Sequence, residues 1–267
     1  MKTSEIKAVL DRIAPLSLQE DWDNSGMQIE TGRGEINKIL VALEITSDVI
    51  EEAITKKAQM IVTHHPLIFH PVKNICVDDV VGNYILRLIR AEIPVYSAHT
   101  CFDSSPGGNN DYLLHKLGIQ YFFRLPVPGI DICDSHMARM GVYEAPMFFG
   151  SFCEKLNKVL GSESGLRIAG SPERLVQKIA VCTGAGGEFW EAALAAGADV
   201  FISGDIKHHE AQGAKESGLC IIDAGHYGTE HLFVHNMASQ LRKKCGADVE
   251  IIESAVCQNP YNSVMQL

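Results

Sequence analysis

The chain has 267 residues, of which 46% are apolar and 21% charged. That is a globular balance, long enough for one large domain or two lobes of ordinary size, and no apolar run approaches the ~18 residues of a membrane span. The formal charge of −10 argues against a broad nucleic-acid footprint, which needs clustered Lys and Arg to neutralise phosphates.

Residues 4–14 place Ile6, Val9, Leu10 and Ile13 on one helical face, with Ser4 as N-cap and Pro15 as the stop. "KILVALE" (38–44) reads as a strand, and "SDVIEEAITKKA" (47–58) as a helix with Val49, Ile50, Ala53 and Ile54 on its apolar face. "MIVTH" (60–64) is the next strand, "GNYILRLIRAE" (82–92) a helix and "IPVYSAH" (93–99) a strand. Alternation of this kind predicts an α/β fold with a largely parallel sheet.

The pattern then recurs. "KILVALEITSDVIEEAITKKAQMIVTHH" from Lys38 matches "KIAVCTGAGGEFWEAALAAGADVFISGD" from Lys178 at a constant offset of 140. "YSAHTCFD" (96–103) matches "DAGHYGTE" (223–230) at 127, which pairs His99 with His226 and Asp103 with Glu230. An internal duplication explains this and predicts two similar α/β lobes, 1–125 and 126–267, with the C-terminal segment free to pack back on the first. "RLPVPGIDICDSHM" (124–137) is the linker candidate. Ligands from both lobes would converge between them, beyond the carboxyl ends of the strands.

Eight cysteines are too far apart for any CxxC knuckle and read as thiols of a reducing compartment. The N-terminal stretch lacks a secretory apolar core, so the expected location is the cytoplasm.

"IVTHHPLIF" (61–69) ends an apolar run in two adjacent histidines. Neighbours on a strand point to opposite faces, so His64 and His65 suit two adjacent metals better than one, or else form a plain polar strand end. "HTCFD" adds His99 and Asp103, and "GHYGTEHLFVH" adds His226 and Glu230 at the same i, i+4 spacing. A helix starting near His226 would carry Glu230 on the same face, with His231 turned about 100° away. Such N and O donors without thiolates suit Zn, Mn, Fe, Co or Ni.

The set "EDWDNSG" (20–26), "HHP" (64–66), "HTCFD" (99–103), "SGDIKHHE" (203–210) and "DAGHYGTE" (223–230) resembles the Nif-three-like family, whose members carry the label GTP cyclohydrolase I type 2 homologue. The resemblance runs over nearly the whole chain. It implies two divalent metal ions per chain between two α/β lobes, held here by His64, His65, Asp103, His226 and Glu230, with His99 close by. It also implies a toroidal homohexamer, and 267 residues are too few for the mid-chain insertion that longer members carry. The family's His-Thr-Asn-Leu-Asp is His-Thr-Cys-Phe-Asp here, so Cys101 and Phe102 alter the packing around the ligand positions.

The resulting expectation is a dinuclear metal-dependent hydrolase for a small nucleotide-like or phosphorylated substrate, with His99 or His208 moving the proton. GTP ring opening is implied by the resemblance alone. A non-catalytic metal-storage, metal-delivery or regulatory hexamer would use the same ligands, as would an interaction protein whose metal is structural. Asp205 is expected to orient a ligand imidazole. "TGAGGEF" (183–189) reads as a tight turn or an anion-binding nest, "DWDN" (21–24) as a capped turn, and Trp190 as core. His70, His115, His136 and His235 read as structural.

Overall fold

The structure is a computed structural model that describes residues 1–127, 137–161 and 165–261. Most of the expected linker, with Cys133 and His136, lies outside the described residues. The chain runs α1 (Thr3–Ile13), β1 (Gly26–Ile29), β2 (Lys38–Ala42), α2 (Ser47–Thr55), β3 (Met60–Thr63), α3 (Val80–Arg90), β4 (Val95–Ser97) and α4 (Thr100–Ser104). It continues with α5 (Asn109–Lys116), β5 (Tyr121–Arg124), β6 (Arg139–Phe148), α6 (Phe149–Leu160), β7 (Arg167–Ala169), β8 (Leu175–Val181) and α7 (Trp190–Ala195). Then come β9 (Val200–Ser203), α8 (His208–Glu216), β10 (Cys220–Asp223), α9 (His226–Glu230), α10 (Leu232–Cys245) and β11 (Glu250–Glu253).

Two compact units result. The first comprises Met1–Ser105 and Phe233–Pro260, and the second Pro106–Leu232 together with Tyr261. The division falls at Ser105/Pro106, earlier than the expected 125/126. The reason is α5, whose Leu113 and Leu114 are buried with Phe149, Phe152 and Leu156 of α6 in the core of the second unit. The C-terminal segment returns to the first unit, where β11 runs parallel to β2.

The first unit's sheet has the order β1-β4-β3-β2-β11, parallel except for β1. The second unit's sheet has the order β5-β6-β8-β9-β10-β7, with β8, β9 and β10 parallel and β7 antiparallel on β10. Each sheet therefore contains an antiparallel edge strand followed by three parallel strands joined by helices. The registers agree as well: Ile39 faces Met60 and Leu40 faces Ile61, as Ile179 faces Val200 and Ala180 faces Phe201, all at an offset of 140.

Across the third strand the offset is 126. Tyr96 faces Val62 as Ile222 faces Ile202, and the following helices begin at Thr100 and His226. The expected offset of 127 is thus one residue too long. His99 corresponds to Gly225, the residue before the helix, and not to His226.

Parallel strands covered on both faces read as continuous apolar runs. In the second unit Ile179, Val181, Val200 and Ile202 pack with α5 and α6, while Ala180, Cys182 and Phe201 pack with Ala192, Ala193 and Ala214 of α7 and α8. In the first, Leu40, Ala42 and Ile61 pack with Val49, Ile50 and Ala53 of α2 and Ile85 and Leu88 of α3. Ile54 is exposed and off that face. Helix α1 buries Ile6, Val9, Leu10 and Ile13 as expected, but starts at Thr3, where Glu5 accepts the Lys2 N–H at 2.7 Å in place of a Ser4 cap. No cysteine among the described residues is in a disulfide. No helix among them is long and apolar enough to cross a membrane.

Candidate metal centre

The first unit gathers a cluster where β3 and β4 end. His64 is fully buried, and its Nδ1–H donates to the Ala98 carbonyl at 2.9 Å. A carbonyl only accepts, so in the neutral ring Nε2 carries the lone pair. That atom faces Asp103 Oδ2 at 3.4 Å. Two acceptors buried face to face need a cation or a proton between them. Asp103, on α4, is buried. His65 is half-buried, with its Nδ1 3.8 Å from Glu44 Oε2. The His64 ring lies 5.2 Å from His65 and 5.1 Å from His99, and ligand atoms of all three histidines lie within 4.8 Å of one another.

His99 accepts the Asp103 N–H on its backbone carbonyl at 3.2 Å. It precedes α4 with φ −94° and ψ −112°, and its Nδ1 lies 2.8 Å from Asp23 Oδ1. Asp23 also accepts from the Thr100 hydroxyl at 2.6 Å and the Ser25 hydroxyl at 2.7 Å. Burial works against its charge, but His99, Thr100 and Ser25 together hold its carboxyl well below the usual range. Asp23 is therefore the residue that fixes His99. "DWDN" is a turn, as expected, but this carboxylate does more than cap it.

The departures from the family motif are accommodated by packing. Burial pushes the Cys101 thiol up to about 12, so it stays protonated. The Phe102 ring stands edge-on to Phe233 at 5.1 Å, and Phe233 lies 4.9 Å from the His64 imidazole. Phe102 thus supports the wall behind a candidate ligand.

The second unit places its own pair where β10 ends. Gly225, at φ +74°, turns the chain into α9. His226 and Glu230 occupy successive turns, with Nε2 and Oε2 2.9 Å apart. Asp205 Oδ2 lies 2.9 Å from His226 Nδ1 and orients the ring, as expected for that residue. Burial disfavours the imidazolium, but Glu230 and Asp205 outweigh it and raise its pKa to about 9. His231 turns away and stacks on Tyr227 at 5.4 Å.

"TGAGGEF" serves this pair sterically. A Cβ on Gly184, at φ +71°, would fall 2.2 Å from Glu230 Oε1 and 3.6 Å from His226 Nε2. The N–H groups of Thr183, Gly184 and Gly186 donate to Asn110 Oδ1, Thr229 Oγ1 and Ser203 Oγ. They are spent inside the unit, which removes the anion-nest reading.

His208 and His209 are exposed in the first turn of α8. His208 lines a small cavity of about 160 Å³ with Arg167, Ile206 and Asp223, a lining that includes neither His226 nor Glu230. His70 and His115 are exposed, and His235 lies 3.2 Å from Glu253. Trp190 packs partly buried against the apolar layer of α7 and α8.

Each cluster offers imidazole nitrogen and carboxylate oxygen without thiolate. Two donors with bonds of about 2.0–2.2 Å to one ion lie roughly 3.0–3.5 Å apart. The separations of 3.4 Å for His64–Asp103 and 2.9 Å for His226–Glu230 fall close to that range. The residues fit divalent ions.

Residues 1–260 match the model of Duf34/NIF3 (NGG1p interacting factor 3). The chain belongs to the Duf34/NIF3 family. A Clostridium perfringens member named GTP cyclohydrolase 1 type 2 homolog is 34% identical, covering 99% of this chain and 100% of the relative. The structure of reduced HcgD from Methanocaldococcus jannaschii matches with a TM-score of 0.81 and 29% identity over 96% of this chain and 98% of that one. A Bacillus cereus protein related to NIF3 matches at 0.89 and 24% identity over 99% of both chains, a likeness of fold. Among NIF3 proteins, then, this chain has a mixed α/β fold and His, Asp and Glu clusters able to hold metal.

Proposed function

We propose that this NIF3 protein is a metal-dependent hydrolase for a small nucleotide-like or phosphorylated substrate. His64, His65, Asp103, His226 and Glu230 would hold two divalent ions in one centre between two lobes descended from a duplication. The observation that carries the reading is the fixed orientation of the imidazoles. His64 is held through Nδ1 by Ala98 O, His226 by Asp205 and His99 by Asp23, an arrangement that leaves Nε2 of each ring as the nitrogen for an ion.

Bound ions would supply Lewis acidity and ionise water near pH 7. The chain's own residues do the rest. Asp23 keeps the His99 ring in place to accept and return a proton, with the exposed His208 as the alternative carrier. The cyclohydrolase name belongs to the relatives, so GTP is the first substrate to try.

The test is a panel of nucleotides and phosphate esters incubated with protein loaded separately with Zn, Mn, Fe, Co and Ni. Turnover lost in both His64→Ala and Glu230→Ala supports the hydrolase. A filled centre that turns over nothing supports a second reading, a metal store or carrier, which the burial of His64, Asp103 and Glu230 also suits. The protein is further read as a cytoplasmic toroidal homohexamer.

A further inference from the structure

Two large aromatic side chains stand exposed beside the first unit's histidine cluster. Trp22 is 56% exposed and Phe69 is 42% exposed. Their rings are 6.1 Å apart at 53°, so they form an open corner. Both stand edge-on to His99, Trp22 at 5.9 Å and Phe69 at 6.4 Å. His99 is in turn 5.6 Å from His65.

The corner is braced from behind. Asn24 Nδ2 donates to the Ile68 carbonyl at 2.6 Å, tying the Trp22 turn to the Phe69 loop. The Ile68 N–H donates to Gln28 Oε1 at 3.1 Å. Asp23, next to Trp22, is fixed by His99, Thr100 and Ser25. The backbone under both rings is thus anchored while the rings themselves face water. Exposed aromatic surface on a fixed support is a stacking platform in waiting.

The geometry points to a subsite at Trp22 and Phe69 that stacks the planar heteroaromatic ring of a small-molecule ligand. The ring lies against one aromatic face with its rim toward the other, and the substituent it carries extends past His99 toward His65. The subsite rests on the proposed function only for what lies at that far end. It names the substrate class: a compound with a flat nitrogen heterocycle on one side and a hydrolysable or metal-binding group on the other.

The test measures binding of inosine, uridine, ribose 5-phosphate and inorganic phosphate to metal-loaded and chelated protein, with metal content determined on the same samples. Nucleosides are expected to quench Trp22 fluorescence, a signal absent in Trp22→Phe. Their binding by calorimetry should weaken roughly ten- to a hundredfold in Trp22→Ala and Phe69→Ala. Trp22→Phe should recover most of the affinity, and phosphate binding should not change. Circular dichroism checks that the variants fold. Equal nucleoside affinity in wild type and both alanine variants would overturn the subsite, as would ribose 5-phosphate binding as well as nucleosides do, or no nucleoside binding at all. Ring binding by protein that retains no metal after loading would keep the subsite and remove the hydrolase reading. Bound metal without ring binding would do the reverse.

Discussion

Gly184 shows how one residue's chemistry is set by a partner far along the chain. Its positive φ and its contact with Glu230 both exclude a side chain. Gly184→Ala is expected to cost about 1–3 kcal/mol of stability and to weaken metal binding at His226 and Glu230, read by thermal melting and metal titration. Asp205→Asn keeps a residue type tolerant of φ +52° and replaces the carboxylate behind His226. A roughly tenfold loss of metal affinity with little change in melting temperature is expected. At this scale the sequence was readable where partners are local. His226 and Glu230 sit one helical turn apart, so their pairing follows from spacing. The Asp23–His99 contact joins residues 76 positions apart, and no periodicity reports that. The same holds for Gly184, whose neighbour Glu230 lies across the unit.

The two units also share the way their helices end. Helix α2 closes with the Ala58 N–H on Ala53 O and Lys57 at φ +56°, and α7 closes with the Ala198 N–H on Ala193 O and Gly197 at φ +76°. The same left-handed stop uses lysine in one unit and glycine in the other. Gly197→Ala should therefore cost about 1 kcal/mol, whereas Lys57→Gly should be neutral or mildly stabilising, both measured by urea unfolding. Helix α2 also holds the C-terminal segment. Glu52 accepts from Lys56 Nζ at 2.7 Å and from the Ala255 N–H at 2.9 Å, and also bonds the Ser254 hydroxyl. Burial opposes its charge, but these partners hold its carboxyl below the usual range. A depressed carboxyl stabilises the fold above its unfolded value of about 4.3 and loses that contribution as pH falls through the folded value. Glu52→Gln should then lower stability by about 1–2 kcal/mol at pH 7, a difference that shrinks in melts below pH 4. The strand–helix alternation and the offset of 140 were legible because buried parallel strands are apolar throughout. The offset of 127 was not reliable, because matching His99 to His226 by residue type overrode a backbone register of 126.

At the scale of the molecule, the chain holds two sheets with a shared four-strand topology, each ending in a cluster of His and carboxylate side chains. Fold class and family were legible from ordered motifs. The unit boundary was not, because the Pro- and Gly-rich stretch at 124–137 looks like a linker while α5 packs forward into the second core. Light scattering near six times 29.2 kDa is the expected result for the proposed hexamer, and a monomer mass would contradict it. The most direct test of the account is metal content per chain, by plasma mass spectrometry on protein purified without chelator and reloaded. Close to two equivalents are expected in wild type, with a loss in both His64→Ala and Glu230→Ala. No retained metal under any loading condition would contradict it, and the histidines would then be polar strand ends with no centre to serve.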